Sequence, residues 1–361
     1  MRRIDEYDDE AFDDEEAIEA PDLGIDIDDI YGEMREVNPL EEDGEVREEE
    51  EKAPTLQEAL EALQQTDRLP DERLLTTLSD LNDSGFSQVL PVWRGLDASY
   101  RRMLMQMLAD MASEDYRLDF SALGHMALND ADGEVRRWAV EVLSEETHLS
   151  LMNKFMQMAE RDRDLNVRAE AVRSLGRFIL AGELGDLPEA ETLKAQNVAV
   201  TLYHNTALPS ALRGAALEAI GNCTRDDLIG MIQDAYRHGD AQLRLSAVVA
   251  MGKSSDDVWA QIILDELESE DDSMCREAVR AAGEIQLRQA VPHLVPLLKE
   301  GERDLREVVV WALGEIGGKQ AVRALQMAAD VATKERDDDL MELIEDAIGN
   351  ASMVDGRFFH D

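Results

Sequence analysis

The feature that most narrows the fold is an internal repeat. The segments DLNVRAEAVRSLG (164–176), DAQLRLSAVVAMG (240–252), DSMCREAVRAAG (272–283) and ERDLREVVVWALG (302–314) each set an arginine, or its substitute, eight residues before a glycine. With that position as zero, the copies fall at Arg101, Arg136, Arg168, Arg213, Arg244, Cys275, Arg306 and Met341, at spacings of 35, 32, 45, 31, 31, 31 and 35. Four positions earlier stand Asp97, Asp132, Asp164, Pro209, Asp240, Asp271, Glu302 and Asp337. Eight positions later stand Ala109, Ser144, Gly176, Gly221, Gly252, Gly283, Gly314 and Gly349. A period of this length, with three positions recurring together, is the signature of a stacked repeat array.

Within each copy, positions −1, +3, +4 and +7 are apolar almost throughout. These spacings make one broad buried stripe on a helix. The acid at −4 sits where an N-cap belongs and suits the positive helix end. Small residues at +3 and +8 admit a neighbouring helix. A second apolar helix precedes each of these, as in DDLIGMIQDAYRH (226–238), DDVWAQIILDEL (256–267) and AVPHLVPLLKE (290–300). Each copy is therefore a helical hairpin, which buries its apolar face only against its neighbours. The expected organisation is an acidic arm (1–53), an N-terminal helical cap (54–84), a repeat solenoid of about eight hairpins (85–350) and a short tail (351–361). The 45-residue interval predicts a projecting loop near 182–193.

The pattern D-x-x-[VL]-R-x-x-A-x-x-[AS]-L-G-x-[IF], carried best by DLNVRAEAVRSLGRF and DLREVVVWALGEIGG, resembles the short HEAT repeats of the phycobilisome-lyase type. The resemblance implies an all-α, right-handed α-solenoid with the second helices lining a concave face. Most such proteins are scaffolds or adaptors, and fold does not dictate chemistry. Among enzymatic branches, nothing beyond the repeat matches the bilin lyases. The HEAT-type di-iron hydroxylases use His-Glu dipeptides, and none occurs here. HEAT-like DNA glycosylases need a basic groove, against which the charge argues.

That charge is −44, from 80 acids against 36 bases. Such a surface repels phosphate backbones and anionic lipid, so no nucleic-acid or membrane partner is expected. It is uneven. Residues 1–53 hold 24 acids and 5 bases, a net of −19 that leaves −25 for the other 308 residues. The arm has too few core-forming residues to offset chain entropy and is expected to be disordered. Leu23, Ile25, Ile27, Ile30 and Tyr31 interrupt its acid as a short motif that could fold onto a partner or onto the chain's own groove. The start of the chain lacks the apolar stretch of a secretory signal, and no run is long enough to span a membrane. Cys223 and Cys275 form no disulfide framework and read as reduced core residues. A cytoplasmic location follows as the expectation.

The arginine row (Arg101, Arg136, Arg168, Arg213, Arg244 and Arg306) is expected to pair with acids of adjacent repeats as a structural ladder. If the stripe is buried, positions +1, +2 and +5 face the concave side. Trp138, Leu245 with Val249, and Val308 with Trp311 would then be apolar anchors among charges, as at interaction hot spots. No phosphate loop, nucleophile elbow, cofactor fingerprint or histidine pair at ligand spacing is present, so no catalytic, cofactor or metal residue is expected. The expected function is a non-enzymatic scaffold binding a protein partner, possibly a basic one, along the concave face. The alternatives are a bilin lyase-type accessory enzyme or cofactor chaperone, and an acidic decoy or chaperone for basic proteins.

Overall fold

The computed structural model describes the backbone of residues 53–65 and 68–357. The acidic arm, and with it the expectations of its disorder and its contact with the groove, lies outside the described residues.

The described chain is helical, without strands among these residues. Two short helices, α1 (Leu56–Leu63) and α2 (Glu72–Leu75), come first. Eight hairpins follow: α3 (Asp83–Gly95) with α4 (Ala98–Glu114), α5 (Ser121–Ala127) with α6 (Gly133–Val142), α7 (Leu149–Arg161) with α8 (Leu165–Glu183), and α9 (Glu189–His204) with α10 (Ser210–Ile220). Then come α11 (Leu228–His238) with α12 (Ala241–Lys253), α13 (Ala260–Glu266) with α14 (Asp272–Glu284), α15 (Val291–Glu300) with α16 (Arg303–Ile316), and α17 (Gly318–Glu335) with α18 (Asp338–Arg357). The even-numbered second helices pack side by side from α4 to α18, and from α6 onward each also packs on its own first helix. The result is an α-solenoid.

The repeat positions explain the elements. Asp97, Asp132, Asp240 and Asp337 each accept a hydrogen bond from the backbone N–H three residues on. Asp164 and Asp271 accept from nearby first-turn amides. Such caps satisfy donors that the helix itself leaves unpaired. Positions +3 are buried in all eight copies, from Leu104 and Ala139 through Val309 and Ile344. Position +4 is buried in seven copies and open only at Glu345 of the last one.

Small residues set the spacing between second helices. A Cβ added to Gly252 would stand 2.8 Å from the Ala281 Cα, one added to Gly283 3.0 Å from the Ala312 Cα, and one added to Gly314 3.2 Å from the Ala347 Cα. Gly221 meets Ala250 in the same way at 3.1 Å, and Gly176 meets Ala219 at 3.3 Å. In every case the glycine at +8 faces the alanine at +6 of the next copy. The turn from α16 to α17 is a single residue, Gly317, at φ 63° and ψ −171°, a conformation side chains disfavour.

The expected projecting loop is corrected. Only Leu184–Pro188 separate α8 from α9, and the extra residues lengthen these helices to 19 and 16. The segment 182–193 therefore closes a longer hairpin. Gln196 of α9 donates to Glu183 at the end of α8, 2.9 Å away, tying its two arms together.

Gly252 and Gly349 occupy the same repeat position with opposite surroundings. Gly252→Ala forces Ala281 to shift and should cost about 1–3 kcal/mol by overpacking. Gly349 has nothing within 4 Å of an added Cβ, so Gly349→Ala should stabilise by about 0.5–1 kcal/mol through helix propensity. Chemical denaturation of the two variants checks both signs.

Candidate interaction surface

The arginine row runs along the turns between first and second helices. Arg136 is buried and grips Asp162 of the next hairpin with two bonds, Nη2 to Oδ1 at 2.6 Å and Nε to Oδ2 at 2.8 Å. Its Nη1 also donates to the carbonyls of Asp130 and Ala131 in its own turn. Burial alone would push the Asp162 carboxyl up, but the Arg136 bonds hold it below the usual carboxylate range. Arg101 repeats the arrangement, donating to the Leu96 carbonyl and, from Nη2, to Asp130 Oδ1 of the next hairpin at 3.1 Å. Arg244 pairs with Glu266 of the next hairpin and lies over the Tyr236 ring.

Two copies differ from the expected pairing. Arg168 donates to the Ala159 carbonyl and Arg213 to the Tyr203 carbonyl, both at 2.8 Å and both within their own hairpin. Cys275 does the same with its thiol, toward the Leu267 carbonyl at 3.5 Å. Position zero therefore serves the orphan carbonyls at the end of the preceding helix. An acid in the next turn is a second partner where the sequence supplies one. Arg306 lines an apolar cleft beside α15 and α17.

The expected anchor positions all lie on second helices, α6, α12 and α16. Trp311 is 42 % exposed, with Cζ3 seated over Gly283 of α14. Val308, one turn earlier on α16, is half-buried, as are Leu245 and Val249 on α12. Trp138 on α6 is half-buried too, and the Arg137 guanidinium lies 3.8 Å from its ring centroid. The structure joins Val308 to Trp311 and Leu245 to Val249. It places Trp138 on a helix separated from α12 by α8 and α10. The expectation that +2 and +5 stay open in every copy is corrected in the middle of the array, where Ala215, Glu218 and Ser246 are buried. Gly214 sits against Ser246, so α10 and α12 approach closely and close over these positions.

Charged and polar side chains on α6, α8, α10 and α12 form a row of two bonded groups. Arg137 donates to Glu141 at 2.5 Å and to Glu134 at 3.2 Å. Arg173 of α8 donates to Glu170 and, across the helix interface, to Glu218 of α10 at 2.8 Å. Ser246 of α12 donates to Glu218 at 2.6 Å, completing a three-helix link. Glu141 is less well matched. Burial, with the charges of Glu170 and Asp110 nearby, pushes its carboxyl up to about 7 against the pull of Arg137. Burial also raises Glu277 on α14, where Arg280 opposes the shift.

Sequence reasoning missed this row, because acids at +2 and +5 read as solvated. It also missed Arg177, which lies over Phe155 and Phe178 and donates to the Leu143 and Glu146 carbonyls. Burial lowers its guanidinium to about 10. Cys223 is buried, and burial pushes its thiol up to about 12, where it is not a nucleophile. His125 contacts Glu146 at 2.9 Å and His293 contacts Glu268 at 3.4 Å, both as pairs. Among the described residues no group of His, Cys, Asp and Glu could hold a metal ion, and no helix is long and apolar enough to cross a membrane.

Stacked two-helix units with capped second helices and small-residue contacts define an α-solenoid of HEAT-like repeats. Residues 260–347 match the family model for HEAT repeats. No curated protein matches the chain. Solved structures to which the chain is similar are all of low identity. The complex of CpcE and CpcF of phycocyanin lyase from a Nostoc species is 19% identical, covering 69% of this chain and 90% of that one, at a TM-score of 0.47. Importin beta is 14% identical, covering 82% and 46%, at 0.39. Human deoxyhypusine hydroxylase is 16% identical, covering 72% and 96%, at 0.34.

The Glu141 environment has a pH signature. Its folded pKa lies above the ordinary value, so the folded state holds the proton more tightly and stability falls as pH rises from about 4.5 toward 7. Glu141→Gln should raise the melting temperature at pH 8 and leave it nearly unchanged at pH 5. A loss at pH 8 would mean that the Arg137 pair outweighs the burial cost.

Proposed function

We propose that the chain is a non-enzymatic scaffold that holds a segment of a partner protein along the inner face of its second helices. The observation that carries this reading is Trp311, a large apolar ring left 42 % exposed beside Val308 on a rigid helix. Tryptophan on a preorganised surface offers contact area at small entropic cost, which is the usual character of a binding hot spot. The acids along the same face favour a partner segment that sets lysine or arginine among apolar residues. Glu141 and Glu277, held above their ordinary pKa by burial, would regain favourable charge by pairing with such a cation. Neither nucleic acid nor anionic lipid suits that surface. The two buried, unpaired cysteines agree with a reducing compartment such as the cytoplasm. Leu245, Val249 and Trp138 would contribute secondary contacts.

Affinity capture from the native host tests this with the full chain and its Trp311→Ala variant. The variant should lose the captured protein while its melting temperature stays within about 2 °C of the parent, because a half-exposed side chain supports little core. A large fall in melting temperature would make Trp311 a packing residue. Undiminished capture would move the binding surface elsewhere.

A further inference from the structure

The last two first helices, α15 and α17, carry a surface whose charge runs against that of the chain. Between them lies an apolar cleft of about 170 Å³. Val295 and Leu298 form one wall, and Ala324, Met327, Ala328 and Val331 the other. Met327 is 49 % exposed and Val331 43 %, so the α17 wall stands open to solvent. Arg323, Met327 and Val331 recur every four residues and Lys334 follows three later, which puts all four on one stripe of α17 with a cation at each end. Lys299 is exposed across the cleft, near the end of α15. Apart from His293, the charged side chains described on these two helices are Lys299, Lys319, Arg323 and Lys334 against the single acid Asp330. Lys299, Arg323 and Lys334 are exposed and make no ion pair among the described residues. Arg306 also borders the cleft but is engaged within the protein and takes no part. In a chain of 80 acids and 36 bases, an apolar trough flanked by unpaired cations is the exception. On the second helices the arginines are held in bonded groups, Arg137 with Glu141 and Arg173 with Glu218.

We infer that this cleft docks a second protein partner, through a segment that sets Asp or Glu among large apolar residues. Covering Met327 and Val331 supplies the affinity, and the unbranched Met327 adapts to the side chain it receives. Lys299, Arg323 and Lys334 meet the carboxylates of the segment from both sides of the trough. No internal ion pair has to break first, so the opposite charges act fully on orientation and discrimination. Charge also decides against other occupants. A second copy related by a two-fold axis would set one basic α17 against another. An anionic membrane would attract these few cations but repel a chain of net charge −44. The activity that follows is bridging. A basic segment lies on the second helices and an acidic one on the first helices of the last hairpins, and one chain holds both. Recognition at the cleft uses none of the anchors on the second helices, so it stands or falls apart from them.

The probe is a phage-displayed library of random peptides of about 15 residues, long enough to follow α17 as a helix. It is panned on the full-length protein, and the peptides recovered are labelled with fluorescein and titrated by anisotropy. One recovered class should be rich in Asp, Glu and large apolar residues. Met327→Asp/Val331→Asp should weaken that class at least about tenfold, because it puts charge into an apolar contact. Lys299→Glu/Lys334→Glu should weaken it several-fold, and so should raised salt. Trp311→Ala should leave it unchanged. The substituted side chains are exposed, so melting temperatures should agree across the set, and the Lys299→Glu/Lys334→Glu arm stands even if the double aspartate variant is perturbed. Recovery of no class sensitive to Met327→Asp/Val331→Asp would overturn the assignment, as would a sensitive class that is basic or uncharged. Loss of the acidic class with Trp311→Ala would move it to the second helices. Cosedimentation of the wild type with phosphatidylserine vesicles, abolished by Met327→Asp/Val331→Asp, would give the surface to a membrane instead. A dimer by light scattering, abolished by the same variant, would give it to a second copy.

Discussion

Everything in the solenoid depends on how closely its second helices approach one another. The contact is one glycine of a second helix against one alanine of the next, repeated from Gly176–Ala219 to Gly314–Ala347. Backbone-to-backbone packing of this kind leaves little room for adjustment, since interiors are packed like crystals. It makes the second helices a continuous layer and fixes the register between hairpins. The first helices are attached to that layer mainly through their own partners. Where the small residues extend to Gly214, Ala215 and Ser246, the layer closes over positions that would otherwise reach solvent.

Close spacing also organises the charges. With neighbouring helices this near, Arg173 can bond across to Glu218, and Ser246 can reach the same carboxylate from the other side. Along the turns, Arg101, Arg136 and Arg244 bridge forward to the next hairpin, while Arg168 and Arg213 complete their own. Buried pairs of this sort add modest net stability but penalise any misregistered stack, because a slip leaves a charge unpaired. The net acidity is therefore compatible with an ordered interior. Inside, the acids are largely partnered, and the excess is left to the surface and to residues 1–53.

The eight hairpins, their caps and the buried stripe were legible because each copy repeats the same local physics. Asp at −4 caps by geometry within three residues, and an apolar residue at +3 is buried in every copy. The site was legible only in part. Trp311 stands exposed, yet Glu218 and Ser246 are covered, because their burial depends on the neighbouring helix at Gly214 and not on their own spacing. Arg137 over Trp138 and Arg177 over Phe155 and Phe178 are likewise contacts between side chains that one repeat template does not encode. The long interval between Arg168 and Arg213 was legible as an insertion but not as longer helices, since LAGELGDLPEA carries turn residues that here serve a five-residue connection.

Amide hydrogen exchange read by mass spectrometry tests the spine of second helices most directly. Slow-exchanging amides report the elements that open last. If Gly–Ala contacts hold the array, the peptides covering α8, α10, α12, α14 and α16 should be the most protected, with α7, α9, α11, α13 and α15 exchanging sooner. Equal or greater protection in the first helices would contradict the claim and would place the organising contact inside each hairpin.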